Sequence, residues 1–73
     1  MAQEIIEVPL TGKIISVNVK PGDGVKEGDT LCLLESMKME NPILAPVDGT
    51  VTEVKVAVEQ VVKPGEIIAI IEY

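Results

Sequence analysis

Few side chains in this 73-residue sequence can do chemistry. It has no histidine, so imidazole acid–base catalysis and imidazole metal ligation are out of reach. Its one thiol, Cys32, lies in the apolar run "TLCLLE", where a small buried side chain is expected and a reactive one is not. No pair of carboxylates is spaced as a catalytic acid and base would be. What remains is "LLESMKMEN", residues 33–41. Lys38 stands between Met37 and Met39, with Ser36 before them and Glu35 and Glu40 close on either side. A lysine amine is a nucleophile only after losing its proton, so a surface lysine reacts when another protein desolvates or deprotonates it. Two geometries suit Met-Lys-Met. On a strand both methionines point inward and the lysine outward. On a tight turn the lysine stands at the tip.

The rest of the chain decides between them, because it repeats. A shift of 37 residues lays Pro9 on Pro46 and aligns Pro9–Glu35 with Pro46–Glu72 without a gap. The identical pairs are Pro9/Pro46, Gly12/Gly49, Val17/Val54, Val19/Val56, Val25/Val62, Lys26/Lys63, Gly28/Gly65 and Glu35/Glu72. Neither half is large enough to bury its own apolar face, so two copies of one unit must pack together about a pseudo-twofold axis. Within each copy the signals are short strands and turns. Ile15, Val17 and Val19 alternate with polar residues, Val54, Val56 and Val58 with Lys55 and Ala57, and period two predicts an inward face made of these six. "TLCLLE" and "EIIAIIE" are near-continuous apolar runs, as central strands are; "IIEVP" is one more strand. "PGDG", "KEGD", "KPGE" and "VDGT" are turns. No segment has a helical period with a cap. The expectation is all-β, about eight short strands in two sheets. Residues 36–45 join the halves, and "SMKME" between Glu35 and Asn41 has the length of a hairpin loop. Lys38 is its centre. Plain turns favour Gly, Asn or Asp, and none occurs from Ser36 to Glu40. Two methionines at such a tip point to recognition by another protein.

Composition agrees with one small domain, residues 1–73. Valine and isoleucine dominate the apolar set and Tyr73 is the lone aromatic, which favours strands. A single cysteine excludes a disulfide scaffold and suits a reducing compartment. The net charge is −6 and every positive charge is a lysine. Nucleic-acid binding is therefore disfavoured, since phosphate neutralisation needs basic residues and strand stacking needs aromatics. No apolar run is long enough to span a membrane and no signal peptide opens the sequence, so a cytoplasmic location is expected.

"ESMKMEN" resembles the biotin-attachment motif of the biotinyl/lipoyl carrier domain family, specifically the biotin carboxyl carrier type. Met-Lys-Met alone is a weak signal; at the joint of a gapless internal repeat it is a specific one. The resemblance covers essentially the whole chain, with "PLTGKIISVNVKPGDGVKEGDTL" similar to the family's first half and "APVDGTVTEVKV" to its second. It implies a flattened β-barrel, or barrel-sandwich hybrid, of two four-stranded antiparallel sheets related by a pseudo-twofold. Lys38 would lie on an exposed hairpin opposite the termini. Biotin protein ligase would make biotinyl-adenylate and acylate the Lys38 amine. The attached biotin would take CO2 on a ureido nitrogen at a biotin carboxylase or decarboxylase site and deliver it at another, such as a carboxyltransferase. Met37 and Met39 would be ligase-recognition residues, and Glu35, Ser36 and Glu40 the motif flank. The domain would be a carrier and not an enzyme.

Three departures from the family pattern bear on this. Ser36 stands where alanine is frequent. "VEQV" (Val58–Val61) replaces the glycine-bearing "PGDGV" of the first half, so that turn is expected to differ in detail. The gapless repeat leaves no room for the protruding thumb of some acetyl-CoA carboxylase carriers, which favours carriers of decarboxylases, transcarboxylases and pyruvate or acyl-CoA carboxylases. Two alternatives share the fold. A lipoyl carrier would set its lysine in Asp-Lys-Ala, against Met37 and Met39 here. An unmodified hybrid-barrel module would use the same frame for protein contact and leave Lys38 bare.

Overall fold

The computed structural model describes Met1–Tyr73 and contains only strands and their connections. In chain order the strands are β1 (Gln3–Glu7), β2 (Gly12–Val17), β3 (Gly24–Val25), β4 (Thr30–Ser36), β5 (Met39–Leu44), β6 (Gly49–Val54), β7 (Val61–Val62) and β8 (Ile67–Glu72). One four-stranded sheet has the order β1-β8-β6-β3 and the other β5-β4-β2-β7, with all pairs antiparallel. The repeat carries each strand of one sheet onto its counterpart in the other: β1 onto β5, β8 onto β4, β6 onto β2, β3 onto β7. Each sheet draws strands from both halves, so neither half could close a core alone. The body is elongated, 36 × 18 × 16 Å.

The two apolar runs become the inner strands β4 and β8, flanked on both sides. Apart from Val56, the 15 buried residues fall into pairs related by the repeat, among them Ile14/Val51, Leu31/Ile68, Leu34/Ile71, Val25/Val62 and Cys32/Ala69. Full burial of each large aliphatic side chain contributes about 1.5–3 kcal/mol. β-branched residues dominate this core because they fit a pleated surface with little loss of rotamer freedom.

Turn chemistry is repeated too. The N–H of Lys20 donates to Asp23 Oδ2 at 3.0 Å and that of Ala57 to Gln60 Oε1 at 3.0 Å, so glutamine does in the second half what aspartate does in the first. Gly22 has φ 98°, and Glu59, its counterpart in "VEQV", has φ 76°. The turn that lacks glycine therefore keeps its backbone path, with Glu59 in the left-handed region.

Two expectations need correction. Period two does not run straight through β2 and β6. A bulge leaves Ile15 unpaired between Ile14 and Ser16, and a second leaves Thr52 unpaired between Val51 and Glu53. A bulge reverses which side faces in. Ile14 and Val51 are therefore fully buried, Ile15 is only partly covered, and Val17, Val19, Val54 and Val56 pack inward. Val58 is 54% exposed, because β6 has ended at Val54 and Val58 lies in the following turn. The second correction concerns the hairpin. Strand β4 runs through Ser36 and β5 begins at Met39, so the loop is Met37-Lys38 alone and not the whole of "SMKME".

Candidate functional site

The hairpin is built from β4 and β5, which pair in register from Cys32↔Ile43 to Ser36↔Met39. A two-residue loop whose twist matches that of the strands is a type I′ turn, with both residues at positive φ, or a type II′ turn, with the first alone. Met37 has φ 53° and Lys38 φ 65°. Neither side chain is of a type that favours this region, and such residues cost about 1–3 kcal/mol each. The loop places Met37 in solvent, 92% exposed, and Lys38 beside it. Met39, the first residue of β5, is 65% exposed. The strand-or-tip question thus has a divided answer. Lys38 and Met37 form the tip, Met39 is on a strand, and neither methionine is core.

Three supports hold the stem. Ser36 Oγ donates to the Thr11 carbonyl oxygen at 2.8 Å, which ties the last residue before the turn to the β1–β2 connection. Asn41 Nδ2 donates to the Leu34 and Met39 carbonyls at 3.3 and 3.2 Å, bracing the other strand. Gly12 packs so closely that a Cβ there would stand 2.4 Å from the Glu35 carbonyl oxygen. Gly49, its partner in the repeat, meets the Glu72 carbonyl in the same way, at 2.5 Å. Thr11, Gly12 and Asn41 were not singled out as site residues by the sequence. The identity of Gly12 and Gly49 in the repeat was the available signal for one of them.

Charge is arranged across the outer face. Glu35 and Glu40 are directly opposite one another on adjacent strands, both exposed, and Lys13 is opposite Glu35 on its other side. Like charges in this cross-strand relation oppose pairing modestly. Lys13 Nζ reaches Glu59 at 3.6 Å, and the other ion pair joins Lys55 to Glu53 at 2.9 Å. Neither involves Lys38, whose amine has no carboxylate within ion-pair distance. Cys32 is fully buried, and burial pushes its thiol pKa up from 9.0 to about 11, which keeps it protonated and inert at neutral pH.

The termini lie at the other end of the molecule. Ala2 and Tyr73 exchange two backbone hydrogen bonds, each 2.9 Å, as the repeat-related partner of the Met39–Ser36 pair. From there β1 leads away, and the connection after it reaches Thr11 beneath the hairpin. All six motif residues, Glu35, Ser36, Met37, Lys38, Met39 and Glu40, are therefore gathered at one end of the body, on one hairpin.

The model of the biotin-requiring enzyme domain, of the biotinyl/lipoyl type, matches residues 4–71. A biotinylated protein TB7.3 homolog of Mycobacterium leprae is 44% identical over 68 residues, which is 93% of this chain and 96% of that protein. The methylmalonyl-CoA decarboxylase subunit gamma of Veillonella parvula is 52% identical over 50 residues, 68% of this chain and 39% of that subunit. The human mitochondrial propionyl-CoA carboxylase alpha chain is 37% identical over 68 residues, and there the match spans only 9% of the larger protein. Among solved structures, Kluyveromyces lactis urea carboxylase superposes with a TM-score of 0.90 at 26% identity, over 99% of this chain and 6% of that one. A single-chain, multi-domain long-chain acyl-CoA carboxylase gives 0.86 at 28% identity, over 93% of this chain and 7% of that one. With the match spanning nearly the whole chain, the protein belongs to the biotinyl/lipoyl domain family of biotin-requiring enzymes.

Proposed function

We propose that Lys38 carries covalently attached biotin and that the domain moves a carboxyl group between the active sites of a biotin-dependent carboxylase or decarboxylase. The domain is a biotin carboxyl carrier and not itself a catalyst. The observation that carries the assignment to Lys38 is its place in a two-residue turn, with no ion pair, at the end of the body away from the termini. The residues present fit such a group. An unpaired primary amine on an exposed tip can be approached from several directions, while the paired strands beneath fix where it stands. When bound, biotin supplies the ureido nitrogen that accepts and releases the carboxyl group.

The chain's own residues position and present the amine. A biotin protein ligase takes a proton from the Lys38 ammonium, the amine nitrogen attacks the acyl carbon of biotinyl-adenylate, and an amide bond forms as AMP leaves and the nitrogen gives up a second proton. The loss of one positive charge changes the net charge from −6 to about −7. Met37 and Met39 offer the ligase two flexible apolar contacts on either side of the lysine, a use to which methionine is suited. Glu35 and Glu40 surround the tip with negative charge that a basic ligase surface would recognise. Ser36, Asn41 and Gly12 hold the stem. Lys38→Arg is expected to keep the fold and to abolish biotin incorporation on a streptavidin blot. Signal retained in that variant would place the attachment elsewhere.

A further inference from the structure

The outer edges of the two sheets are not equivalent, although the strands that form them are related by the repeat. β5 and β1 are the long edge strands of the two sheets, the opposite edges being the two-residue β7 and β3. In β5 the residues whose main-chain groups face away from β4 alternate with those bonded to it, and Glu40 and Pro42 face outward. Pro42 has no N–H, so this edge cannot accept a further strand there. The corresponding residues of β1 are Gln3 and Ile5. Ala2 and Tyr73 exchange both of their hydrogen bonds, which sets the alternation: Glu4 and Ile6 bond to β8, while Gln3 and Ile5 turn their N–H and C=O groups outward. Where one sheet is blocked by proline, the other presents a free donor and acceptor at Ile5.

The side chains around this edge have a definite character. Ile5 is 48% exposed and opposite Ile70, which is half-buried, so an apolar strip lies beside the free main chain. Glu72 and Glu7 lie on the same face at either end of this strip, Glu4 lies on the opposite face in line with buried Ile6, and β1 and β8 contain no lysine. Neither ion pair of the molecule reaches these three carboxylates. Native proteins commonly guard open edges with proline or charged side chains, and here the guards are carboxylates alone, whose repulsion a basic segment removes.

We propose that the outer edge of β1 is a docking site for an extended segment of a partner protein, one that carries an apolar side chain between two basic ones on a single face. The segment adds a fifth strand to the β1-β8-β6-β3 sheet. Its main chain bonds to Gln3 and Ile5, its central apolar side chain covers Ile5 and Ile70, and the basic side chains two residues before and after it, on the same face, meet Glu7 and Glu72. A second copy of this chain is a poor occupant, because two such acidic edges repel. The site is remote from Lys38 and does not depend on what that lysine carries.

The probe is an acetylated, amidated heptapeptide, Thr-Lys-Thr-Val-Thr-Lys-Thr, titrated into the 73-residue chain and followed by amide chemical shifts and hydrogen exchange. Saturable shifts centred on Gln3 and Ile5, with exchange at the Ile5 amide slowed, are expected. Ile5→Pro copies the residue that the equivalent strand already holds, so the fold should survive while affinity falls at least about tenfold. The same peptide N-methylated at every second residue keeps its charge and cannot pair as a strand. It should bind at least about tenfold more weakly, and this tests strand addition even if Ile5→Pro unfolds. Equal binding of the N-methylated peptide, shifts spread over all carboxylates without protection of Ile5, or shifts centred on β5 would overturn the proposal.

Discussion

Met37 is the residue at which stability and recognition pull in different directions. At φ 53° it occupies a conformation that asparagine or glycine adopts at lower cost, and with 92% of it exposed it contributes almost nothing to the core. Met37→Asn should therefore stabilise the domain by about 0.5–1 kcal/mol. In a domain of this size that raises Tm by about 4–8 °C per kcal/mol. The same change should slow biotinylation by a ligase. A variant that is more stable and modified at the normal rate would remove Met37 from recognition. This site was legible in the sequence as to which residues compose it, because Met-Lys-Met falls at the joint of the repeat. The tightness of the turn was not. A two-residue loop of Met and Lys goes against turn preference, and the pairing that enforces it, Ser36↔Met39, comes from the long β4–β5 register and not from local propensity.

At the scale of the elements, the closest approach is between the start of β2 and the end of β4. A methyl group on Gly12 would meet the Glu35 carbonyl oxygen at 2.4 Å, and one on Gly49 would meet that of Glu72 at 2.5 Å. Both contacts are with backbone, which cannot rotate away. Gly12→Ala and Gly49→Ala should each destabilise the domain by about 1–3 kcal/mol, measured from the urea midpoint. Only Gly12→Ala should also slow modification of Lys38, since Glu35 leads directly into the hairpin and Glu72 into the terminus. Equal effects on modification would mean that the hairpin responds to global stability alone. Strand positions were legible from turn residues and apolar runs. Their inward faces were legible only in part, because the bulges at Ile15 and Thr52 insert one residue each and reverse the period. Nothing in the local sequence marks a bulge at either place. Each belongs to the pairing, where consecutive residues of the partner strand, Leu34 and Leu33 or Ile71 and Ile70, are spanned by three residues of the bulged one.

The whole molecule is two interlocked copies of one unit, and its stability rests on a core without polar side chains. Cys32 is the one titratable group in that core. Its thiol pKa in the folded state, about 11, lies above the ordinary 9.0 because burial disfavours the thiolate. A raised folded-state value means that the contribution is intact below the unfolded-state pKa and is lost as pH rises through the folded one. Stability should fall between about pH 9 and 11 by roughly 2–3 kcal/mol more than in Cys32→Ala compared with itself across the same range. Chemical denaturation at a series of pH values gives the comparison, and parallel curves for the two proteins would show that Cys32 does not contribute. The architecture at this scale was the most legible level, since a gapless repeat of strands allows few ways to bury both apolar faces. The inequality of the two free edges was visible only once strand order placed Pro42 and Ile5 in equivalent positions.

On the proposed function, Lys38 and no other of the six lysines accepts biotin. Co-expression with a biotin protein ligase, followed by intact-mass and fragment-ion measurement, distinguishes among them. The expected result is an increase by the mass of one biotinyl group, located on Lys38, in the wild-type chain and no increase in Lys38→Arg. An unshifted wild-type mass, or a biotinyl group on any of the other five lysines, would contradict it.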